Sequence, residues 1–304
     1  MQLIWLCFDK TFQERKNSVP VGLQEDYDIV LLSASLTQEF IKRDGDIIVI
    51  EGKFLTEPLL QVLPKDGHVV IFIENAKLDY NTLFFLKQVY LNGFVFFMNM
   101  EDLVFYLHFI KTLYDCKNNG NESDLMSIID WMNHSKKVSE IVYFLGLRFG
   151  LDKATANVIS KASLFHDIGK KCMPQSILNK PGWFNFVEKE LIKFHVISGS
   201  HLLQRLVTCF HDNALHYMSN NLALYHHERN DGSGYMHGKK NLHLYLRIVA
   251  VADVYESLRS DRPYRSNCDR DLALSFIKQK EPGFGSDVVS ALESLIKDEV
   301  LEWL

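Results

Sequence analysis

The chain has 304 residues, 47% hydrophobic and 23% charged, so it predicts about two globular domains and excludes disorder throughout. Its 33 basic and 38 acidic residues give a net charge of −5, which disfavours bulk binding of nucleic acid through phosphates. Five scattered cysteines without a CxxC pair favour reduced thiols and a cytoplasmic protein, and we expect no membrane span because no stretch approaches the ~18 apolar residues required.

Short apolar runs separated by turn-forming residues fill the first third of the chain. Such nearly continuous runs are typical of buried parallel strands, and a helical pattern over Tyr80–Tyr90 fits between two of them. We therefore expect a small open α/β domain over residues 1–118. The runs occupy residues 3–8, 29–32, 47–50, 69–73 and 94–98.

This first domain only loosely resembles the receiver domain of a response regulator. Receivers carry a phosphate-accepting Asp at the end of the third strand, where this sequence has Glu51. Phosphorylation at that position is therefore not expected. We interpret the domain as regulatory or partner-binding, with a degenerate receiver as one form of that interpretation.

A polar, Gly- and Asn-rich segment over 116–124 is interpreted as a linker, and helical periodicity follows it. Apolar side chains recur on one face over 138–149 and again over 191–206, while 246–258 is apolar nearly all round and indicates a core helix. Residues 119–304 are thus predicted to form an all-α domain, which makes the whole protein α+β.

Histidine is concentrated in this helical part, with ten of the 12 His residues between positions 134 and 243. Asp130 and His134 are four residues apart and share a helix face. His166-Asp167 follows an apolar stretch, and Gly169 behind it is predicted to end a helix. His195 is expected to point inward. Each feature alone has a simpler interpretation as a cap, a surface pair or a core histidine.

Two further groups of residues add to this pattern. The adjacent His226 and His227 precede a Gly-rich loop, and Asp253 lies within an apolar helix, where a buried carboxylate requires a metal or an Arg. Arg262 and Arg265 follow that helix. Oxygen and nitrogen ligands without cysteine favour iron, manganese, nickel or zinc in a hydrolytic site. The candidates exceed what one ion needs, so two or three ions are expected, bridged by Asp167.

Taken together, the motifs resemble the HD-GYP phosphodiesterases, a branch of the HD superfamily. The resemblance runs from about residue 130 to about 265 and does not cover the first domain. It is carried by His166-Asp-Ile-Gly-Lys170, residues 177–182, His195-x-x-x-Gly199, residues 226–235, and 251–255 with Arg262-Pro-Tyr-Arg265.

The resemblance implies a metal-dependent phosphodiesterase that cuts cyclic di-GMP to pGpG or GMP. It implies two metal ions, with a third as an alternative, iron first and manganese next. The implied ligands are His134, His166, Asp167, His195, His226, His227 and Asp253, with Asp130 where three-metal members have Glu. Asp167 and Lys170 are the implied catalytic residues, and Tyr235, Arg262 and Arg265 would contact the nucleotide. Diguanylate-cyclase-type signalling proteins are implied as further partners.

The sequence departs from the family pattern at three positions. Gly-Tyr-Pro reads Gly234-Tyr235-Met236, and without the proline ring we expect a freer loop. Asp130 is one methylene shorter than Glu, which favours two metals over three, and Glu256 stands where Asp is common. The alternatives are a weakly active or inactive module that binds cyclic di-GMP or a protein partner, and an HD hydrolase of another nucleotide.

Overall fold

In a computed structural model of the chain, the described residues divide into two compact units. One is drawn from 1–119, 170–178 and 184–198, and the other from 120–169, 179–183 and 199–304. The predicted domain boundary at 118/119 remains a prediction. The described residues are 2–7, 28–33, 47–51, 68–72, 78–91, 93–97, 99–119, 133–207, 210, 212–261 and 266–301.

The first unit contains a parallel sheet whose five described strands have the order β2-β1-β3-β4-β5. Leu3 of β1 lies opposite Ile29 on one side and Ile47 on the other, so the first strand is not at an edge of the sheet. This order is that of doubly wound sheets, which place helices on both faces. The strands are β1 (Gln2–Cys7), β2 (Asp28–Ser33), β3 (Ile47–Glu51), β4 (His68–Phe72) and β5 (Val95–Phe97).

Nearly continuous apolar sequence allows these strands to be buried, and Val49, Val70 and Phe96 are fully inaccessible. Helices α1 (Tyr80–Leu91) and α2 (Met100–Asn119) both pack against β5. All five predicted strands and the helix near 80–90 are confirmed. Because α2 continues to Asn119, the first four residues of the predicted linker are helical, and the rest of the linker lies outside the described residues.

The regular elements in the described part of the second unit are helices, apart from an isolated β-bridge between Asp231 and Lys240, and this confirms the α+β class of the chain. Helix α3 packs against α4, α9 and α12, and α8 packs against α4. Two short helices and the start of α7 belong to the first unit. In chain order the helices are α3 (Asn133–Arg148), α4 (Lys153–Ser163), α5 (Gln175–Leu178), α6 (Phe186–Ile192), α7 (His195–Arg205), α8 (Asn213–Tyr225), α9 (Leu244–Arg259), α10 (Arg270–Gln279), α11 (Glu281–Phe284) and α12 (Ser286–Lys297).

Side-chain caps and apolar faces explain where these helices begin and what they bury. Asp212 accepts the N–H groups of Ala214 and Leu215 and so begins α8. Helix α9 is buried from Ile248 to Asp253 without interruption, as its all-round apolar sequence predicts. None of the described helices is both long and apolar enough to cross a membrane.

Two local predictions were wrong. The face over 191–206 is divided between α6 and α7, because the chain turns at Lys193 and Phe194 before helix resumes at His195. Gly169 does not end a helix, since it lies inside a 3₁₀ helix over Ile168–Cys172 and lacks a positive φ.

Close packing explains why position 199 is a glycine. A Cβ at Gly199 would lie 3.1 Å from the backbone nitrogen of Gly169 and 3.4 Å from the Cβ of Ala223. Backbone atoms on one side leave little room for adjustment. Glycine at position 199 therefore lets α7 approach the segment behind His166-Asp167.

Gly199→Ala is expected to lower the free energy of unfolding by about 1–3 kcal/mol, because the added methyl overpacks this contact. Urea denaturation followed by circular dichroism measures the change. Lys161→Ala, on the exposed face of α4, is the control and should stay within about 0.5 kcal/mol of the parent. An equal midpoint for Gly199→Ala and the parent would contradict the crowding.

Candidate metal centre

Imidazole and carboxylate side chains from four places in the second unit meet in one cluster. Helix α3 supplies one residue from its first turn, the turn after α4 supplies two, the end of α8 supplies two, and buried α9 supplies one. Helix ends suit this purpose because they place side chains at a common edge while the helix bodies form the core. The residues are His134, His166, Asp167, His226, His227 and Asp253.

Asp167 lies at the centre of the cluster and is 2% exposed. Its Oδ2 is 3.5 Å from Nε2 of His166 and 3.9 Å from Nε2 of His134. Its Oδ1 lies 3.6 Å from Nε2 of His226. The two oxygens therefore face different imidazoles, an arrangement that suits a carboxylate shared by two cations.

Backbone carbonyl groups fix the orientation of the buried imidazoles. Nδ1 of His166 is 2.7 Å from the carbonyl oxygen of Ser163, and Nδ1 of His226 is 2.9 Å from that of Leu222. Because a carbonyl oxygen can only accept, Nδ1 must donate in both rings. Nε2 is then the ring nitrogen that faces the cluster, as metal-binding histidines require.

The surroundings of Nε2 of His166 test whether this cluster suits a metal. The ring is completely buried, and this nitrogen has no hydrogen-bond partner among the described residues. It lies 3.9 Å from Oδ1 of Asp253, too far for a hydrogen bond. A buried nitrogen without a hydrogen-bond partner, beside carboxylates, suits the role of a metal ligand.

His134 carries a carboxylate on each side. Its Nε2 is 3.0 Å from Oδ1 of Asp253, and its Nδ1 contacts Oε2 of Glu256 in a short hydrogen bond. Burial lowers the pKa of His134, but the hydrogen bonds to Asp253 and Glu256 outweigh burial and raise it to about 9. The two carboxylates thus favour the protonated form of the ring.

Asp253 confirms that a buried carboxylate in an apolar helix needs a positive partner. Burial raises its pKa, but the hydrogen bond and charge of His134 hold that pKa well below its usual range. Asp253 therefore stays ionised in the core. Sequence reasoning called for a metal or an Arg beside this carboxylate, and the structure places His134 there.

Three overlapping groups within the cluster could each hold an ion. Their ligand atoms lie within 4.8 Å of one another, and they mix imidazole nitrogen with carboxylate oxygen. This donor set suits a divalent transition metal. The groups are Asp167 with His226 and His227, His134 with His166 and Asp167, and His166 with His226 and Asp253.

Two further predicted site residues, His195 and Lys170, are described within the first unit. His195 is buried and begins α7, with its Nδ1 2.6 Å from the carbonyl oxygen of Ile192. Lys170 lies half-buried in the 3₁₀ helix, and both residues belong to the first unit. Their functional roles remain predictions. Asp130, Arg262 and Arg265 lie outside the described residues.

The loop after His227 is held by Glu228, whose side chain is completely buried. Its Oε1 accepts the N–H groups of Met236 at 3.2 Å and His237 at 2.8 Å, and its Oε2 accepts that of Lys239 at 2.8 Å. The prediction that Met236 leaves the loop freer is therefore not supported at this point. Proline has no N–H group, so only a non-proline residue can make the first of these bonds.

Tyr235 is held over the cluster by the same loop. Its ring stacks on His227 with centroids 4.5 Å apart, and its N–H donates to the carbonyl oxygen of His227 at 3.4 Å. Burial and the nearby charge of Asp167 raise the pKa of Tyr235, so its hydroxyl stays protonated. A cavity of about 420 Å³ adjoins this pair and is also lined by Arg229 and Lys280.

Gly234→Ala is expected to open this loop. A Cβ there would lie 2.4 Å from Cα of Glu228 and 2.5 Å from the backbone nitrogen of Arg229, so the backbone must move. Amide hydrogen exchange should become faster at Met236, His237 and Lys239. Ser233→Ala, the exposed neighbour, is the control, and matching exchange in both variants would contradict the close approach.

Sequence reasoning missed the roles of Glu228 and Glu256. Glu256 lies three residues after Asp253 on α9, so helical spacing places both on one face, and this was an available signal. It orients His134, as carboxylates behind metal-binding histidines do. Glu228 carries no such signal, because its partners are backbone groups of a folded loop.

Comparison with known proteins agrees with this arrangement. A profile of the HD domain family matches residues 125–286, more than half of the chain. The chain belongs to the HD domain family. The resemblance drawn from the sequence motifs is thereby confirmed, and the matched residues include the whole cluster.

Three relatives of this HD protein each match over less than half of the chain. It is 35% identical over 144 residues to a cyclic di-GMP phosphodiesterase response regulator of Xanthomonas campestris, covering 47% of this chain and 37% of the relative. It is 34% identical over 149 residues to 3′3′-cGAMP-specific phosphodiesterase 1 of Vibrio cholerae (48% and 33%). A cyclic di-GMP phosphodiesterase of Pseudomonas aeruginosa is 37% identical over 134 residues (43% and 31%). The chain thus spans about a third of each relative.

Proposed function

We propose that this chain is a metal-dependent phosphodiesterase that hydrolyses cyclic di-GMP to pGpG or GMP. The observation that carries the proposal is the position of Asp167, whose two oxygens face different buried imidazoles. Membership of the HD family and the names of the relatives support the reaction class. The cytoplasm remains the proposed location because the cysteines lack pairing motifs.

Two ions are proposed, with iron first and manganese next. Asp167 would bridge them, and the Nε2 atoms of His134, His166 and His226 would contribute with His195, His227 and Asp253. Such ions lower the pKa of a water toward neutrality and offset the charge of a phosphodiester. Asp130 as ligand to a third ion is the alternative that its shorter side chain makes less favourable.

The chain's own residues then bind and orient the substrate. Lys170 is proposed to face the phosphate, where a fixed cation offsets charge that develops on the non-bridging oxygens. Tyr235, Arg262 and Arg265 are proposed to contact the nucleotide, since an Arg fork can bind a phosphate or the O6/N7 edge of guanine. The protonated hydroxyl of Tyr235 can donate a hydrogen bond there.

A panel of cyclic dinucleotides tests this proposal. The full chain is purified without chelators, supplied with iron or manganese under anoxic conditions, and offered cyclic di-GMP, 3′3′-cGAMP and a linear dinucleotide. Linear product from cyclic di-GMP supports the proposal. Product only from 3′3′-cGAMP would overturn cyclic di-GMP as the proposed substrate. Both nucleotides are tested because the chain matches relatives named for each of them.

Calorimetry beside the product assay separates an enzyme from a binding module. Binding of cyclic di-GMP without product, in protein shown to hold its metals, would favour an effector that acts through partner proteins such as diguanylate-cyclase-type enzymes. Hydrolysis of cyclic di-GMP by the metal-loaded chain would exclude this alternative.

A further inference from the structure

The carboxylate of Asp102, in the first turn of α2, is buried and accepts hydrogen bonds from a distant segment. Oδ1 accepts the N–H of Gln175 at 3.0 Å and that of Ser176 at 3.3 Å. Oδ2 accepts the hydroxyl of Ser176 at 2.6 Å and the side-chain amide of Asn99 at 3.0 Å. Asp102 is 5% exposed. The segment that it binds lies more than 70 residues away in sequence.

These contacts cap a helix that cannot cap itself. Gln175 and Ser176 are the first two residues of α5, and their N–H groups have no acceptor within the helix. The residue before them is Pro174, which has no polar side chain to serve as the usual N-cap. Asp102 provides the missing acceptor from α2.

The capped segment continues directly to Lys170. The side-chain amide of Gln175 donates to the carbonyl oxygens of Lys170 and Met173, both at 3.2 Å. Gln175 therefore links Asp102 to Lys170. Its backbone N–H donates to Asp102, and its side-chain amide donates to the backbone carbonyl of Lys170. Lys171 adds a second tie, with Nζ 5.2 Å from the ring centroid of Phe105 on α2.

We infer that Asp102 is a positioning residue that fixes the backbone of Lys170 through Gln175. The inference rests on the proposed role of Lys170 at the phosphate and extends it to the first third of the chain. A lysine that offsets developing charge must be held in place before the reaction. Through Asp102, helix α2 thus positions the backbone that carries the Lys170 side chain.

Removing this carboxylate takes the acceptor away from several partly buried hydrogen bonds. Asp102→Ala frees two backbone N–H groups and the hydroxyl of Ser176, so α5 loses its cap. Asp102→Asn keeps one acceptor oxygen and should restore part of the effect. Glu101→Ala is the matched control because Glu101 is the exposed neighbour in the same helical turn.

A double-mutant cycle with Lys170→Ala tests whether Asp102 acts through the lysine. In the full chain, Asp102→Ala is expected to lower kcat about 10-fold with little change in KM, as loss of transition-state stabilisation does. In the Lys170→Ala background the same change should cost less than about 2-fold. An undiminished 10-fold loss in that background would overturn the inference and leave a purely structural cap.

Hydrogen exchange provides a readout that needs no turnover. Asp102→Ala should accelerate amide exchange over residues 170–178, Asp102→Asn less so, and Glu101→Ala not at all. Unchanged exchange at 170–178 in Asp102→Ala would overturn the inference. If the parent chain hydrolysed no cyclic dinucleotide, the proposed function would fail while this measurement still decided whether Asp102 holds the lysine segment.

Discussion

Asp167→Asn is expected to reduce hydrolysis of cyclic di-GMP by about 1,000-fold or more, which corresponds to about 4 kcal/mol of transition-state stabilisation. The amide has nearly the same size as the carboxylate, so packing is preserved. It has no negative charge, and its nitrogen cannot serve as a ligand. The two oxygens of Asp167 face different imidazoles. Whichever way the amide is turned, its nitrogen therefore replaces one of these two oxygens, and one proposed metal ligand is lost. Initial rates and metal content are measured on the same samples.

Asp212→Asn is the matched control for this variant. Asp212 caps α8 through its side chain, and Asn is an equally good cap. Its rate and metal content should equal those of the parent. Full turnover by Asp167→Asn would contradict the assignment of Asp167 and the mechanism with it.

Glu228→Ala is expected to lower the free energy of unfolding by about 2–5 kcal/mol. The change removes a completely buried carboxylate that accepts three backbone N–H groups, and it leaves those donors without acceptors among the loop residues that the structure describes. Glu228→Gln keeps one acceptor oxygen and should lose less. Urea denaturation gives both values.

Glu140→Ala, at an exposed position of α3, controls for the loss of a glutamate and should change stability by less than about 0.5 kcal/mol. A second contrast uses Met236→Pro, which removes the N–H at 3.2 Å from Oε1 and keeps the other two N–H groups. Its loss should be smaller than that of Glu228→Ala. Equal stability of Glu228→Ala and the parent would show that other contacts hold the loop.

Local sequence patterns predicted the elements well. The strands were recognisable because burial on both faces requires nearly continuous apolar sequence, and β3 and β4 lie where such runs predicted them. Helix α9 was recognisable because it is apolar on all sides. The cluster was predicted because its residue types lie in motifs at helix ends, and the structure brings six of them together.

Contacts between distant segments could not be predicted in the same way. The pairing of His134 with Glu256 joins α3 to α9, and nothing in the local pattern of either helix specifies the partner. The break at Lys193 interrupts a face whose apolar spacing continues across it. Asp102 lies in an ordinary first turn, and its role arises only where α2 lies beside α5.

The most direct test of the account is the metal content of the full chain purified without chelators, compared with that of Asp167→Asn and His166→Ala. We expect about two transition-metal ions per parent chain and a clear loss of bound metal in both variants. A parent chain that holds no ion and takes up none when incubated with iron, manganese or zinc would contradict it.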